Sequence, residues 1–209
     1  NAGTIDTENL NITVPAAADV NLSGASFNAG VDNVVITGGN SLSTFTTQTI
    51  HTNVKTVDMS GFAGNGAFTL AADQADSTVT LTGGPLATDT LAYQITGAGT
   101  DKPQTVGIET IVGNIDATST LDMSASDATL VSLDVATGIV STIDKAENTT
   151  TRVTATAGTP TVEVKLGDAT GTADATTIEL KGANAGAINN GLVLKTDDIE
   201  TVTIASSTA

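Results

Sequence analysis

The residues of this chain best suited to chemistry are its carboxylates. Asp outnumbers Glu 17 to 6, against seven Lys and Arg, one His and no Cys. Carboxylates do two kinds of work. In pairs they run acid–base cleavage, as in glycosidases. In clusters they hold calcium, a hard cation that takes six to eight oxygens from carboxylates, carbonyls and water. Here Asp32, Asp89, Asp168 and Asp174 sit beside Gly, Asn, Thr or Ala at the ends of alternating segments, where backbone carbonyls are free to join them. They are the candidate calcium ligands. Asp116, Asp122 and Asp127 form a second, looser group. Aspartate is also an ordinary turn former. A net charge of −16 favours the cation reading, because neutralisation relieves self-repulsion.

Catalysis finds less support. A polysaccharide-cleaving site needs basic or aromatic groups to hold substrate, and the chain has one Arg (Arg152), one Tyr (Tyr93) and no Trp. His51 is the only His, without a companion for nucleophilic or zinc chemistry. Gly64 and Gly66 make no phosphate cradle, since no Lys-Ser/Thr follows them. The chain is read as a protein without enzymatic activity.

These carboxylates must be positioned by short extended elements. Asn9–Val14, Asn33–Thr37, Ser77–Thr82 and Thr176–Lys181 alternate apolar and polar residues, the period of a half-buried strand. In the third, Val79 and Leu81 face one way and Thr78, Thr80 and Thr82 the other. Gly38-Gly39, Gly83-Gly84 and Gly182 follow such segments as turn residues able to take positive φ. No helix of ten residues is expected; Ala125–Ala136 is filled with Thr and Ser. Thr accounts for 40 of the 209 residues, and aromatics for 2%. A core of Val, Ile, Leu and Ala without bulky rings is thin, as in solenoids whose coils pack only on their neighbours.

Composition also excludes. So acidic a chain cannot neutralise phosphates, so no nucleic-acid partner is expected. An anionic lipid surface would repel it. No apolar run approaches the ~18 to 20 residues of a membrane span, and no membrane insertion is expected. Thr-x-Thr faces can order water against ice, but here the threonines are scattered over many strand types. Asn-x-Ser/Thr sequons at Asn11, Asn21 and Asn148 are expected by chance in so Thr-rich a chain. The beginning at Asn1 and the ending in Ala205-Ser206-Ser207-Thr208-Ala209 suggest a piece of a longer protein.

An imperfect repeat runs through the chain. Val31–Gly38 is followed by Asn53–Met59, Thr88–Ile95 by Gly107–Gly113, and Ala173–Leu180 by Asp198–Ile204. Each pair opens with an Asp before an alternating strand and closes with a strand of the form apolar, charged, Thr, apolar. Strand length and rise predict turns of about 18 to 25 residues. The expected fold is all-β: an elongated, irregular right-handed parallel β-solenoid, with residues 1–209 as a single repetitive domain.

The closing strands Gly107-Ile108-Glu109-Thr110-Ile111 and Asp198-Ile199-Glu200-Thr201-Val202-Thr203-Ile204 resemble strands of bacterial surface-layer (S-layer) proteins. These are the calcium-dependent, type I-secreted proteins of the Caulobacter kind, with their RTX-like adhesin relatives. Gly167–Asp174, leading into Ile178-Glu179-Leu180, is similar to their repeat openings. The RTX nonapeptide is nowhere intact; Gly83–Leu91 comes nearest, but lacks the middle Gly and has one residue too many before Asp89. The resemblance implies a secreted, extracellular structural protein of the cell surface that self-assembles, as a lattice or homo-oligomer, with calcium as its cofactor. Cell-surface polysaccharide would be met through parts outside this segment. The alternative is a spacer or ligand-binding module of a large secreted adhesin. A polysaccharide lyase and a phage decoration protein are more distant readings.

Overall fold

The computed structural model describes residues 8–21, 30–50, 52–70, 79–154, 159–181 and 191–207. His51 and Gly182 lie outside them. Among the described residues there is no helix, and the elements are all strands. In chain order they are β1 (Asn9–Val14), β2 (Asp19–Asn21), β3 (Asn33–Gly38), β4 (Thr44–Ile50), β5 (Thr56–Phe62), β6 (Asn65–Leu70), β7 (Thr80–Thr82), β8 (Thr90–Ile95), β9 (Thr100–Asp101) and β10 (Gln104–Val106). There follow β11 (Thr110–Ile115), β12 (Ser119–Asp122), β13 (Leu130–Val135), β14 (Val140–Asp144), β15 (Thr150–Thr154), β16 (Thr161–Val164), β17 (Ala175–Lys181), β18 (Val193–Lys195) and β19 (Thr201–Ser207). Ala125–Ala136 holds β13, because Leu130, Ser132 and Asp134 alternate with the buried Val131, Leu133 and Val135.

The chain divides into two compact units, one of Asn1–Tyr93, Pro103–Ile111 and Ser126–Ala128 and one of Gln94–Lys102, Val112–Ala125 and Thr129–Ala209. In the first, β1-β3-β5-β7-β10 form one parallel sheet and β2-β4-β6-β8 run side by side in another. In the second, β9-β12-β14-β16-β18 form a parallel sheet beside the run β13-β15-β17-β19. Successive strands therefore alternate between sheets and return one turn later beside their predecessors. That is a β-solenoid. The register step is 24 residues from Asn9 to Asn33, 21 from Thr142 to Glu163 and 27 from Arg152 to Glu179. The last exceeds the expected turn length because the Gly167–Asp174 loop is inserted before β17. Bulges shift the register between Val35 and Thr37 and between Thr46 and Thr49.

The register explains the repeat. Its opening and closing strands are neighbouring rungs of one sheet. β3 pairs with β5 and β17 with β19, while the Thr110 N–H reaches the Asp89 carbonyl at 3.1 Å. Inward side chains stack in columns, Val34–Val57–Leu81 in the first unit and Val131–Thr151–Ile178–Ile204 in the second. Phe45 and Phe62 meet edge to face, 6.2 Å between centroids, and widen the core of the first unit. The second relies on aliphatics and on inward Ser119, Ser141 and Thr151, whose buried hydroxyls have no hydrogen-bond partner among the described residues.

Two glycine pairs serve different ends. Gly38 and Gly39 take φ of +86° and +68°, and a Cβ on Gly38 would fall 2.4 Å from the Val14 carbonyl oxygen. Gly83-Gly84 is needed for space and not for φ. A Cβ on Gly83 would lie 1.8 Å from the Gly107 carbonyl oxygen of the next turn.

Column position sets the energetics. Ile178 is fully buried, whereas Ile204, in the last strand of the same column, is 60% exposed. Ile178→Ala should cost about 2–5 kcal/mol, the range for truncating a core aliphatic. Ile204→Ala should stay near the ~0.5 kcal/mol typical of surface changes. Urea denaturation of both variants checks this, and equal losses would contradict the column.

Candidate functional site

A parallel turn has to change direction, and at each corner some N–H groups leave the ladder without a partner. Buried amides need acceptors. The acidic residues are placed to supply them.

Asp89 is the most buried of these, fully enclosed just before β8. Its Oδ1 accepts the Gly66 N–H from the preceding turn at 2.5 Å, and its Oδ2 accepts the Gly84 N–H of its own turn at 2.5 Å. Its own N–H donates to Glu109 Oε2 of the following turn at 2.9 Å. One residue thus links three turns. Gly66 and Gly84 admit the carboxylate because neither carries a side chain; a Cβ on Gly66 would meet Oδ1 at 3.0 Å and Met59 Cε at 2.1 Å. Burial pushes the Asp89 carboxyl up, and the nearby Glu109 charge adds to this. The two backbone N–H groups pull it back without cancelling the rise.

The same device recurs. The Asp174 N–H donates to Glu200 Oε2 at 3.0 Å, the counterpart of Asp89 and Glu109. The Gly107 N–H reaches Asp127 Oδ2 at 2.8 Å, and the Gly167 N–H reaches Glu147 Oε1. In the first repeat the closing charge is Lys55, whose Nζ pairs with Asp32 Oδ2 at 2.6 Å and so bridges the same two turns by an ion pair. The apolar-charged-Thr-apolar motif is thus a coupling between turns.

Other side chains extend the coupling along the sheet faces. Asn33 Nδ2 donates to Asn9 Oδ1 at 3.0 Å, and Thr56 Oγ1 to Asn33 Oδ1 at 2.7 Å. Arg152 grips Glu179 Oε2 through Nε at 2.8 Å and Nη2 at 2.7 Å. Lys145 Nζ pairs with Asp122 Oδ2 at 2.9 Å, one turn back. Burial alone would raise the Asp122 carboxyl. Hydrogen bonds from Lys145 and from the Ser124 N–H and hydroxyl outweigh it and hold the group down to about 2.

The four candidate calcium ligands are thus in different situations and are not brought together. Asp89 has a backbone N–H aimed at each oxygen, so positive dipole ends occupy the approach a cation would use. Asp32 already holds an ammonium. Asp168 is exposed and accepts the Thr170 N–H and hydroxyl through Oδ1, which lowers its carboxyl. Of the four, Asp174 is the one with a buried carboxylate oxygen, Oδ2, that has no hydrogen-bond partner among the described residues. Asp116, Asp122 and Asp127 likewise have separate partners, in Gln94, Lys145 and Gly107. Among the described residues no group of three or more His, Cys, Asp or Glu side chains converges.

Sequence reasoning passed over Glu109, Glu200, Glu147 and Lys145. The signal for the first two was present, as the charged position of the closing strand. Comparison with protein-family models, curated proteins and solved structures finds no match.

Two outcomes follow from this geometry. Asp89→Ala strips the Gly66 and Gly84 amides of their acceptor, at about 1–3 kcal/mol for each buried orphan. The loss should appear in thermal denaturation, and a change within about 0.5 kcal/mol would refute the clamp. Asp122 has its carboxyl depressed by folding, so the folded state binds that proton less tightly than the unfolded chain. Its stabilisation is complete above the ordinary value of 3.8 and is lost as pH falls toward about 2. Asp122→Ala should flatten the acid limb of the stability–pH curve in that window; an unchanged limb would mean that the pair contributes nothing.

Proposed function

We propose that this chain is a segment of an extracellular structural protein, a surface-layer component that self-assembles and is stiffened by calcium. The observation that carries the reading is the use made of the carboxylates. At corner after corner they tie one turn to the next, and so act as structural fasteners. A scaffold needs strands locked in register, with charged faces that keep the secreted chain dissolved until assembly.

Self-assembly is carried over from the resemblance of the closing strands to those of surface-layer proteins. Calcium is supported at one corner, where the spare oxygen of Asp174 lies in the residue whose N–H Glu200 accepts. Two carboxylates fall short of the six to eight oxygens calcium takes. Carbonyls, water or a second copy of the chain would supply the rest. A spacer or ligand-binding module of a secreted adhesin is the second reading, favoured by a cleft of about 220 Å³ in the second unit, lined by Asn148, Thr149, Thr150, Ala175, Thr176, Thr177 and Thr203.

Light scattering and calorimetry with calcium and then with excess chelator test the proposal. Calcium should raise the melting temperature and the particle size, and chelator should reverse both. Asp174→Asn should abolish the thermal shift while Asp168→Asn leaves it in place. Identical melting and size in calcium and chelator would overturn the calcium-stabilised assembly.

A further inference from the structure

The pair Asn65-Gly66 opens β6. The sequence has one other Asn-Gly pair, Asn190-Gly191, whose Asn lies outside the described residues. Asparagine is a thermolabile residue. It is most so before glycine, where no side chain shields the next backbone nitrogen. We propose that Asn65 is a deamidation site that the fold holds shut through Asp89. This goes beyond the self-assembly reading and does not depend on it.

In an open chain the Gly66 nitrogen attacks the side-chain carbonyl carbon of Asn65. The new N–C bond closes a five-membered succinimide ring. The proton of the Gly66 N–H passes through solvent to the side-chain nitrogen, which leaves as ammonia. Water then opens the ring at either carbonyl, giving an aspartyl or an isoaspartyl residue. Water is the only co-reactant.

The fold engages each group that must move. Gly66 is buried, and its N–H donates to Asp89 Oδ1 at 2.5 Å. The charge of Asp89 also opposes any negative charge growing on that nitrogen. The Thr88 hydroxyl donates to Asn65 Oδ1 at 2.5 Å, which fixes the direction of the carboxamide. The Asn65 N–H donates to the Ser43 carbonyl at 2.9 Å, and Asn65 and Gly66 pair with Thr44 and Phe45 of β4. Ring closure has to turn the Asn65 backbone out of the extended conformation, which breaks the rung and the Asp89 clamp together. Left to itself, Asn-Gly prefers a tight turn. Local preference and fold therefore oppose each other at this pair.

The product does not fit the rung it came from. An isoaspartyl linkage inserts one methylene into the backbone just ahead of Gly66. There is no slack at that point: a Cβ on Gly66 would already fall 2.1 Å from Met59 Cε and 3.0 Å from Asp89 Oδ1. Either product also adds a carboxylate beside the glycine that Asp89 clamps. An opening that reacts is therefore not reversed. Isoaspartate at position 65 marks each molecule in which this turn has opened.

Peptide mapping by mass spectrometry, on the full chain aged at mildly alkaline pH, reads the two Asn-Gly pairs separately. In concentrated guanidinium chloride Asn65 and Asn190 should deamidate at similar rates, which sets the open-chain reference. In buffer Asn65 should fall below that reference by at least about tenfold, because the strand reaches the reacting geometry only by local opening. Asp89→Asn keeps the side chain's size but turns an N–H donor toward one of the two clamped amides. In buffer it should speed Asn65 by about tenfold or more, and in denaturant it should change nothing. Should that variant not fold, amide exchange on the unaltered chain carries the same test. In denaturant below the unfolding midpoint, Gly66 exchange and Asn65 deamidation should rise in proportion. Equal rates for Asn65 in buffer and in concentrated denaturant would overturn the proposal, as would deamidation that stays flat while Gly66 exchange rises. So would a folded Asp89→Asn variant whose Asn65 reacts no faster, since protection would then belong to the strand alone.

Discussion

A parallel solenoid depends on what happens to backbone amides where the chain turns from one sheet to the next. Within strands the ladder satisfies them. At corners the ladder stops, and a buried N–H without an acceptor would offset much of what burying a thin core supplies. In this chain, carboxylates solve the problem. Asp89, Asp127, Glu109, Glu147 and Glu200 accept corner N–H groups, in most cases from an adjacent turn. A carboxylate accepts more hydrogen bonds than a hydroxyl, and a charged acceptor makes the stronger ones. The acidity of the chain is thus in part a consequence of its architecture.

This constraint accounts for the glycines too. Asp89 reaches the backbone of two turns only because Gly66 and Gly84 leave room for its oxygens. Gly83 packs against Gly107 more closely than any side chain would allow. The stretch that comes nearest to an RTX nonapeptide, Gly83–Leu91, is built in this way. Its Gly-Gly pair and its Asp meet each other through a hydrogen bond. Glycine and aspartate here serve backbone coupling.

Polar residues inside the second unit follow the same economy. Inward threonine and serine fill positions that valine or alanine could fill, and leave hydroxyls at Ser119, Ser141, Thr151 and Thr176 unpaired among the described residues. Threonine resembles valine in shape and β preference, so the columns stay regular despite the unmatched oxygen.

The sequence by itself determined the strands and their phase. In β7 and β17 the alternation of Thr with Val, Leu or Ile places the apolar residues inward, because a strand has only two faces. It also marked the repeat, whose halves are neighbouring rungs, and the corner residues Asp32, Asp89 and Asp174. Only the tertiary structure decided what those aspartates do. Their partners lie on other turns, Lys55 for Asp32, Gly66 and Glu109 for Asp89, and Glu200 for Asp174. Those separations are set by turn length and inserted loops, which no local pattern encodes. A carboxylate beside glycine reads the same in sequence whether it awaits a cation or caps an amide. The direction of the nearest N–H separates the two, and that direction exists only once the turns have stacked.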